Sequence, residues 1–254
     1  MYRPRLIPVL LLKNNALVKS KAFKNYTYIG DPINAVKLFN DLQADELIFL
    51  DISATKENRL IPLDFVRNVG EEAHMPFAVG GGIKNIQHIR DLINAGAERV
   101  IINTSAGMNP DFITEAADTF GTSTIVICID VKKDFWKKDK VWLNNGSKAI
   151  SYSPVEYAQL MEKNGAGEIV IQSINRDGMM NGYDIDLVKQ IADAVTIPVV
   201  ALGGAGKLEH LKEASQKGHA NGLGAGSLFI YQGTKQGVLI NYPQTSTINF
   251  SEWL

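Results

Sequence analysis

Residues 7–15 read IPVLLLKNN and residues 126–134 read VICIDVKKD. Both are apolar runs of strand length that end in lysine and a polar turn, and they lie 119 positions apart. Near-continuous apolar runs of this kind are typical of parallel strands whose faces are both covered. The runs differ at one position of chemical consequence, because Asp130 in the second corresponds to Leu11 in the first.

The chain repeats itself outside these two runs. ADELIFLDI, which starts at Ala44, resembles AGEIVIQSI, which starts at Ala166. GGIKNIQHIRDLINAGA, from Gly81, resembles GGAGKLEHLKEASQKGH, from Gly203, and both pairs are 122 positions apart. The sequence therefore predicts two similar halves that face each other and present two related sites.

Short β-type runs alternate with helical patterns, an order typical of parallel strands with helical crossovers. Eight such runs predict a single (β/α)8 TIM barrel over residues 1–254, an α/β fold with its chemistry at the C-terminal ends of the strands. The repeat predicts half-barrels at roughly 1–122 and 123–230 and an irregular tail at 231–254. The predicted strands are Leu6–Leu12, Glu46–Ile52, Phe77–Val79, Val100–Asn103, Ile125–Val131, Glu168–Ser173, Val199–Leu202 and Gly222–Ala225.

Helix starts are marked by polar residues that precede a proline. Asp31-Pro32 and Asn109-Pro110 each predict a capping side chain followed by proline at the first helical position. The sequence Ser153-Pro154-Val155-Glu156 predicts a capping box.

Two segments depart from a regular barrel. Gly233, Gly237 and Pro243 break any helical pattern after the last strand, so we expect no regular eighth helix and an extended docked segment around VLINYP. A hairpin is predicted after Asp130, with Phe135-Trp136 and Val141-Trp142 flanking a charged turn; its aromatic face is expected either over the barrel mouth or in the core.

Composition narrows the classes of protein to which the chain can belong. The chain has 254 residues, of which 45% are hydrophobic and 21% charged, and a formal net charge of −1. This balance does not favour a nucleic-acid or membrane partner, and no apolar run reaches the 18 residues of a membrane span. The only cysteine is Cys128. We expect a cytoplasmic protein with no metal site and no cofactor, and we read the N-terminus as a strand rather than a signal peptide.

Glycines follow the strands at matched positions in the two halves. Glycine lets backbone N–H groups approach an anion closely, and loops after strands 7 and 8 commonly hold phosphate in such barrels. The alternative is that the glycines only make tight turns; the matched pair favours a phosphorylated small molecule with a phosphate at each end. One phosphate is predicted at Gly82 and Thr104, and the other at Gly203, Gly204, Gly226 and Ser227.

The chain resembles the cyclase subunit of imidazole glycerol phosphate synthase, from histidine biosynthesis. The matching motifs are GDP at Gly30, ADELIFLDI, VGGGI, IINTSAGMNP, ICID, GAGEIVI, RDGMMNGYD and GGAGKLEH, and they extend to about Phe229. The resemblance implies a lyase that takes ammonia from a glutaminase partner, passes it through the barrel and closes an imidazole ring on a bisphosphorylated substrate.

The resemblance also implies roles for individual residues. In that family each half-barrel carries a catalytic aspartate. The aspartate of the second half is kept here as Asp130, whereas that of the first half is replaced by Leu11. Asn175, Leu202 and Gln172 stand where the family has other polar groups, so the mouth is expected to be less acidic and partly apolar. The residues that the resemblance assigns to substrate contact and that this chain keeps are Lys19, Asp51, Asn103, Asp130, Ser173 and Asp177.

Four charged residues start strands and are expected at the opposite end of the barrel. Arg5, Glu46, Arg99 and Glu168 match the charged gate through which the family admits ammonia, although that family usually has lysine at the position of Arg99. Taken one at a time, each of them is better explained as an ordinary strand-start charge in water. Together they predict a gate and a glutaminase that docks on the N-terminal face.

Three functions remain open from the sequence. The first is ammonia supply to a third enzyme, an amidotransferase that forms an acetamidino group on a sugar of a bacterial surface polysaccharide, because diverged copies of this cyclase with LINYP-like tails resemble this chain. The second is a working cyclase of histidine biosynthesis that makes imidazole glycerol phosphate and aminoimidazole carboxamide ribotide. The third, more remote, is a non-catalytic scaffold for the glutaminase.

Overall fold

The computed structural model describes residues 3–233 and 237–253. Eight parallel strands form the barrel, and all eight were predicted. The predicted tail residues 234–236 and 254 lie outside the described residues. The strands are β1 (Arg5–Lys13), β2 (Leu47–Asp51), β3 (Phe77–Gly80), β4 (Arg99–Ile102), β5 (Ile125–Lys133), β6 (Glu168–Ser173), β7 (Val199–Leu202) and β8 (Gly222–Ala225).

The strands pair in chain order and the barrel closes on itself. Strand β1 pairs in parallel with β2 on one side and with β8 on the other, where Ile7 lies opposite Gly224. Strand β5 pairs with β6 and joins the two halves. The closed parallel barrel with helices between its strands confirms the predicted (β/α)8 fold.

Helices follow the strands and cover the outside of the barrel. They are α1 (Pro32–Asp41), α2 (Leu63–Glu72), α3 (Ile86–Asn94), α4 (Thr104–Met108), α5 (Asp111–Phe120), α6 (Pro154–Lys163), α7 (Ile185–Ala192), α8 (Leu208–Gln216) and α9 (Ser227–Ile230). The only α-helix described after β8 is the four-residue α9. The predicted lack of a regular eighth helix is therefore confirmed.

Two of the three predicted helix starts are confirmed. The Asp31 side chain accepts the Asn34 amide at 2.9 Å, and Ser153 forms both halves of a capping box with Glu156. The prediction for Asn109 is wrong, because no side-chain cap precedes α5. Asn109 directly follows α4, and its backbone (φ −145°, ψ 89°) is set by the end of that helix.

Apolar side chains fill the barrel in two layers. The outer layer lies between strands and helices and contains residues such as Phe39, Phe49 and Tyr157. The inner layer fills the barrel interior and is formed by Ile7, Val9, Ile48, Ala78, Ile101, Val126, Cys128, Val170, Val200 and Leu202, with Leu50 against it. The prediction that Cys128 is a small core group agrees with its place in this inner cluster.

Two hairpins extend the barrel beyond the C-terminal ends of its strands. The first comprises Ala16–Lys21 and Lys24–Gly30, which continue from β1 as antiparallel strands. In the second, Asp139–Leu143 runs antiparallel to the end of β5, and a two-residue strand, Lys148–Ala149, follows. The predicted hairpin after Asp130 is confirmed, but its turn is formed by residues 134–138, so Phe135 and Trp136 lie in the turn instead of flanking it. Both are exposed, whereas Val141 is buried.

The C-terminal tail takes the place of an eighth helix. Tyr231–Gln232 pairs with Gly237–Val238, and the chain then runs extended to two 3-10 turns, Thr245–Thr247 and Phe250–Trp253. The Tyr242 hydroxyl donates to the Leu6 carbonyl at 3.0 Å, so the tail reaches the N-terminal end of the barrel.

Candidate functional site

A cavity of about 420 Å³ opens at the C-terminal ends of the strands. Its wall contains side chains from loops of both half-barrels, as the repeat predicts. The predicted site residues that line it are Leu11, Lys19, Asp51, Gly82, Asn103, Thr104, Asp130, Asp177, Gly203, Gly204, Gly226 and Ser227. The cavity could accommodate a small ligand between two glycine-rich loops.

Ser173 is the predicted contact residue that does not line this cavity. It is buried at the end of β6, where it pairs with Val131. Successive side chains of a strand point to opposite faces, and it is the neighbouring Gln172 that lines the cavity. The sequence resemblance gave no signal of this difference.

Asp130 is a buried carboxyl group in the cavity wall. Burial raises its pKa to about 7; hydrogen bonds from Cys128 and Asn103 oppose this rise, and the charge of Asp177 adds to it. The Cys128 thiol lies 3.7 Å from Asp130 Oδ1. A carboxyl group that titrates near neutral pH can both take up and release a proton, as general acid–base catalysis requires.

We expect replacement of Asp130 by asparagine to flatten the dependence of stability on pH. A carboxyl group whose folded pKa lies above its unfolded value stabilises the fold below the unfolded pKa, and this contribution is lost as the pH rises through the folded pKa. Between about pH 4 and about pH 7 the wild-type chain should therefore lose on the order of 4 kcal/mol through Asp130 alone, and Asp130→Asn should not. Urea unfolding across this range measures the difference.

Asp118→Asn is the matched control, because Asp118 is exposed on α5. It should leave the pH dependence of unfolding as it is in the wild-type chain. A wild-type profile that already equals that of Asp130→Asn would contradict a raised Asp130 pKa.

Leu11 lies on β1, four strands away from the β5 strand that carries Asp130, and so on the opposite side of the mouth. It pairs with Leu50, and Leu202 lines the same cavity. Of the two positions that the sequence repeat relates, one therefore carries a carboxyl group and the other an aliphatic side chain. This pair of positions provides one proton-transfer group rather than two.

Lys19 is a buried cation at the cavity. A Cβ atom added at Gly226 would lie 2.1 Å from its Nζ, so the ammonium group lies against the glycine loop that follows β8. Burial lowers the Lys19 pKa, while the charge of Asp177 raises it. Among the described residues Lys19 has no hydrogen-bonded side-chain partner, and a bound anion would supply one.

Lys19→Met is expected to weaken the binding of inorganic phosphate by about 10- to 100-fold, the equivalent of one charged hydrogen bond. Stability should not fall, because methionine removes a charge that is costly to bury. Titration calorimetry measures the affinity, and Lys24→Met, at an exposed position on the same hairpin, is the control. Equal phosphate affinity for wild type and Lys19→Met, or crystals grown in phosphate with both glycine loops empty, would contradict the predicted sites.

Each of the two glycine loops needs its glycine because another backbone segment packs closely against it. Gly82 has φ +71°, and a Cβ there would lie 1.8 Å from the Arg59 carbonyl oxygen. Gly204 has φ +113°, and a Cβ there would lie 2.1 Å from the Gly182 carbonyl oxygen. These contacts explain both glycines as turn residues, so phosphate binding has to be tested on its own.

Asp51 fixes the loop that follows β2. Its carboxylate accepts the amides of Ser53 and Ala54 at 2.9 and 3.2 Å, and it pairs with Arg59 at 2.5 Å. Sequence reasoning missed Arg59; the available signal was a basic residue eight positions after a strand-end aspartate. Because its oxygens are already occupied, Asp51 is suited to holding the mouth in shape.

Asp177 fixes the first hairpin onto the opposite wall. Its carboxylate accepts the Ser20 hydroxyl at 2.6 Å, and its carbonyl accepts the Ala22 amide at 2.9 Å. A Cβ at the neighbouring Gly178 would lie 2.0 Å from the Ser20 carbonyl oxygen, so the contact is close. This contact positions Lys19, the adjacent residue, over the cavity.

Asn103 and Thr104 stabilise the wall between β4 and β5. The Asn103 amide donates to the Cys128 carbonyl at 2.9 Å, and Thr104 donates to the Asn103 side chain at 3.1 Å. The Thr104 hydroxyl also accepts the amide of Asn144, in the loop after the second hairpin, at 3.0 Å. The hydroxyl predicted to contact phosphate thus already links two loops.

The four strand-start charges form a closed ring at the other end of the barrel. Arg5 pairs with both Glu46 and Glu168, and Arg99 pairs with the same two carboxylates. The glutamate side chains are only 3% and 7% exposed, whereas those of Arg5 and Arg99 are 31% and 20% exposed. Each charge thus has two partners of opposite sign, and the ring lies across the N-terminal end of the barrel.

Burial and pairing act in opposite directions on the ring. Burial raises the Glu46 pKa, and the charges of Arg99 and Arg5 only partly oppose it. Burial lowers the Arg5 pKa, but the charges of Glu168 and Glu46 outweigh it, so the Arg5 pKa is raised. The Arg99 and Arg5 guanidinium groups therefore limit the rise of the Glu46 pKa.

Within residues 3–233 and 237–253, no group of three or more His, Cys, Asp or Glu side chains is placed to hold a metal ion. Over the same residues, no helix is both long and apolar enough to cross a membrane.

The chain is thus a closed (β/α)8 barrel protein, with a cavity that contains a buried carboxyl group at one end and a ring of paired charges at the other. The family of histidine biosynthesis proteins matches residues 5–235, and the chain belongs to this family.

Several relatives match over nearly the full chain. A Pseudomonas aeruginosa protein provisionally named imidazole glycerol phosphate synthase subunit hisF2 is 42% identical over 249 residues, 98% of this chain and 99% of the relative. The imidazole glycerol phosphate synthase subunit HisF of Clostridium botulinum is 42% identical over 236 residues, 91% of this chain and 92% of the relative. That of Geobacillus kaustophilus is 40% identical over 253 residues, 98% and 99% of the two chains.

Proposed function

We propose that the chain is a cyclase-like subunit of the imidazole glycerol phosphate synthase type, which accepts ammonia from a glutaminase and passes it through its barrel. The ammonia is delivered to an amidotransferase that forms an acetamidino group on a sugar of a surface polysaccharide. The observation that carries this proposal is the closed ring of Arg5, Glu46, Arg99 and Glu168 at the N-terminal end of an apolar barrel interior.

The ring and the barrel interior are suited to the passage of an uncharged molecule. Aliphatic side chains such as Ile7, Ile48 and Val126 fill the barrel interior between the ring and the cavity, so ammonia would have to pass between them. An apolar route is costly for ammonium and water but not for uncharged ammonia. In this proposal the partly exposed Arg99 side chain swings out to admit ammonia, while Arg5 keeps the two carboxylates paired.

The residues of the cavity wall favour delivery of ammonia over closure of the imidazole ring. Leu11 stands where the resembled family has its first catalytic aspartate, and Leu202 lies in the same wall. Loss of one general acid–base group costs a factor of about 10²–10⁴ in rate. A cavity with this wall is suited to passing ammonia on.

A working cyclase of histidine biosynthesis is the second candidate. Asp130, with a pKa near 7, and the buried cation Lys19 favour it, as do the relatives that are named imidazole glycerol phosphate synthase subunit HisF. A non-catalytic scaffold for the glutaminase is a third, supported only by the loss of the acidic group at Leu11. The rate of ring closure separates the first two.

The glutaminase would dock on the N-terminal face. Glu98 is exposed beside Arg99, and a surface cavity of about 680 Å³ lined by Arg3, Arg5, Arg99 and Glu168 borders the ring. An interface of standard size would bury on the order of 1,600 Å². Glu98 is the residue to reverse in charge, because Arg99 is needed in the ring itself.

The deciding experiment measures glutamine hydrolysis by the purified glutaminase of the same organism, with and without this chain. We expect stimulation of about tenfold or more, within the usual range of coupling between sites. Glu98→Lys should weaken docking through like-charge contacts, whereas Glu209→Lys, exposed at the start of α8 on the opposite end, should not. The proposal would be refuted if the rate of glutamine hydrolysis were the same with and without this chain.

A further inference from the structure

The tip of the second hairpin carries two exposed aromatic side chains. Phe135 is 92% exposed and Trp136 is 76% exposed, the two highest values among the large hydrophobic residues of the described chain. Their rings meet edge to face at 5.5 Å. Adjacent exposed apolar groups that are surrounded by polar residues are typical of interaction surfaces.

The tip is held in one shape by hydrogen bonds of its own. The Asp134 carboxylate accepts the amides of Trp136 and Lys138 at 2.8 and 3.0 Å. The Asp134 amide donates to the Lys138 carbonyl at 2.8 Å, and the Lys137 amide donates to the Asp134 carbonyl at 3.0 Å. Aromatic groups on a rigid turn lose little freedom on binding, as is typical of anchors that insert into a protein pocket.

The tip is also positively charged. Five lysines, at 132, 133, 137, 138 and 140, accompany only two acids, Asp134 and Asp139, although the whole chain has a net charge of −1. Lys132 lies over the Trp142 ring at 4.7 Å, while the other lysines have no such ring contact among the described residues. The surface is therefore complementary to a partner whose apolar pocket is surrounded by carboxylates.

The tip stands beside the cavity. Trp142 of the returning strand lies opposite Asp130, so the base of the hairpin forms part of the mouth. Strand β5 continues for three residues beyond Asp130, to Lys133, which places the start of the tip about 10 Å further along the strand direction. A protein bound to this tip would cover the mouth from which ammonia leaves.

We propose that Phe135 and Trp136, with the lysines around them, dock the ammonia-consuming enzyme onto the C-terminal face. This inference rests on the proposed function and names the surface that the acceptor binds. The occupant is a protein rather than a membrane, because a lipid surface cannot consume the ammonia that leaves the mouth. The acceptor presents an apolar pocket with an acidic rim, and binding retains ammonia that would otherwise escape to solvent.

The test uses the complete chain, its glutaminase and the sugar amidotransferase of the same organism. We compare wild type with the double variant Phe135→Ser/Trp136→Ser, and with Tyr28→Ser, which removes an exposed aromatic group from the first hairpin. Three quantities are measured: the affinity for the amidotransferase, the product formed from glutamine and the product formed from free ammonium. Sedimentation with phosphatidylglycerol vesicles measures membrane binding.

We expect the double variant to bind the amidotransferase about tenfold or more weakly, as loss of a buried aromatic anchor implies, and to form less product from glutamine. Product from ammonium and stimulation of the glutaminase should not change, and Tyr28→Ser should behave as wild type. Unchanged affinity of the double variant overturns the inference, as does vesicle binding that the double variant alone loses. Failure of the amidotransferase to take ammonia from wild type would refute the proposed function instead, and the affinity comparison would still decide the docking surface.

Discussion

Arg99→Ala is expected to lower the free energy of unfolding by about 3 kcal/mol, the lower end of the range for breaking a buried ion pair. The lower end applies because Arg5 still contacts both Glu46 and Glu168. The loss comes from two carboxylates that stay buried while one of their two cations is gone. Urea unfolding at neutral pH measures it.

The same variant should recover stability in acid. Burial already raises the Glu46 pKa, and removal of Arg99 takes away the larger of the two charges that lower it. A carboxyl group with a raised folded pKa stabilises the fold below its unfolded pKa and loses that contribution as the pH rises. The deficit of Arg99→Ala relative to wild type should therefore shrink as the pH falls from neutral towards the ordinary glutamate value of 4.5.

Arg67→Ala is the matched control for this prediction. Arg67 pairs with Asp64 on α2, but both side chains are more than half exposed. Such pairs contribute about 0–1 kcal/mol, so this variant should unfold almost as wild type. If Arg99→Ala were as stable as Arg67→Ala, the ring would not be a coupled set of buried charges.

Ring closure by the wild-type chain with free ammonium is expected to be slower than that of the Clostridium botulinum relative by a factor of about 10²–10⁴. The physical reason is that Leu11 cannot exchange a proton, which leaves Asp130 as the acid–base group of the pair. Leu11→Asp should recover part of this factor if the cavity still fits the bisphosphorylated substrate. Steady-state turnover of that substrate provides the measurement.

Leu11→Asn separates acidity from polarity in this experiment. Asparagine has nearly the shape of aspartate and accepts hydrogen bonds, but it does not titrate. A gain seen with aspartate and not with asparagine would assign the deficit to proton transfer. A wild-type rate equal to that of the relative would remove the main argument for ammonia delivery and favour the histidine pathway.

The barrel could be predicted from the sequence because its determinants are local. Covered strands read as apolar runs, and Asp31 and Ser153 cap their helices through side chains only three residues away. Asn109 failed as a cap because the end of α4 controls its backbone, and α4 has no strong sequence pattern of its own. Local signals therefore predict elements well where no second element overlaps them.

The sequence predicted most of the residues of the site but not the residues that they contact. The charges of the ring could be placed at one end by their strand-start positions, yet that each of them contacts two partners depends on the closed circumference of the barrel. The pairing of Arg59 with Asp51 likewise depends on the path of the loop after β2, which a spacing of eight residues does not fix by itself. The orientation of Ser173 depends on which alternate residues of β6 face the barrel interior, and only the closed barrel decides this.

The tail has a consequence for how the protein is made. The Tyr242 hydroxyl bridges the Leu6 carbonyl and the Asp45 amide, each at 3.0 Å, so a residue that follows all eight strands in the chain holds the first strand in place. During synthesis β1 is translated before β8 and before this tyrosine, and one of its edges lacks its partner until β8 has left the ribosome. The barrel therefore cannot close before that point, and a ribosome stalled before β8 would expose an unpaired, apolar β1 edge to chaperones and proteases.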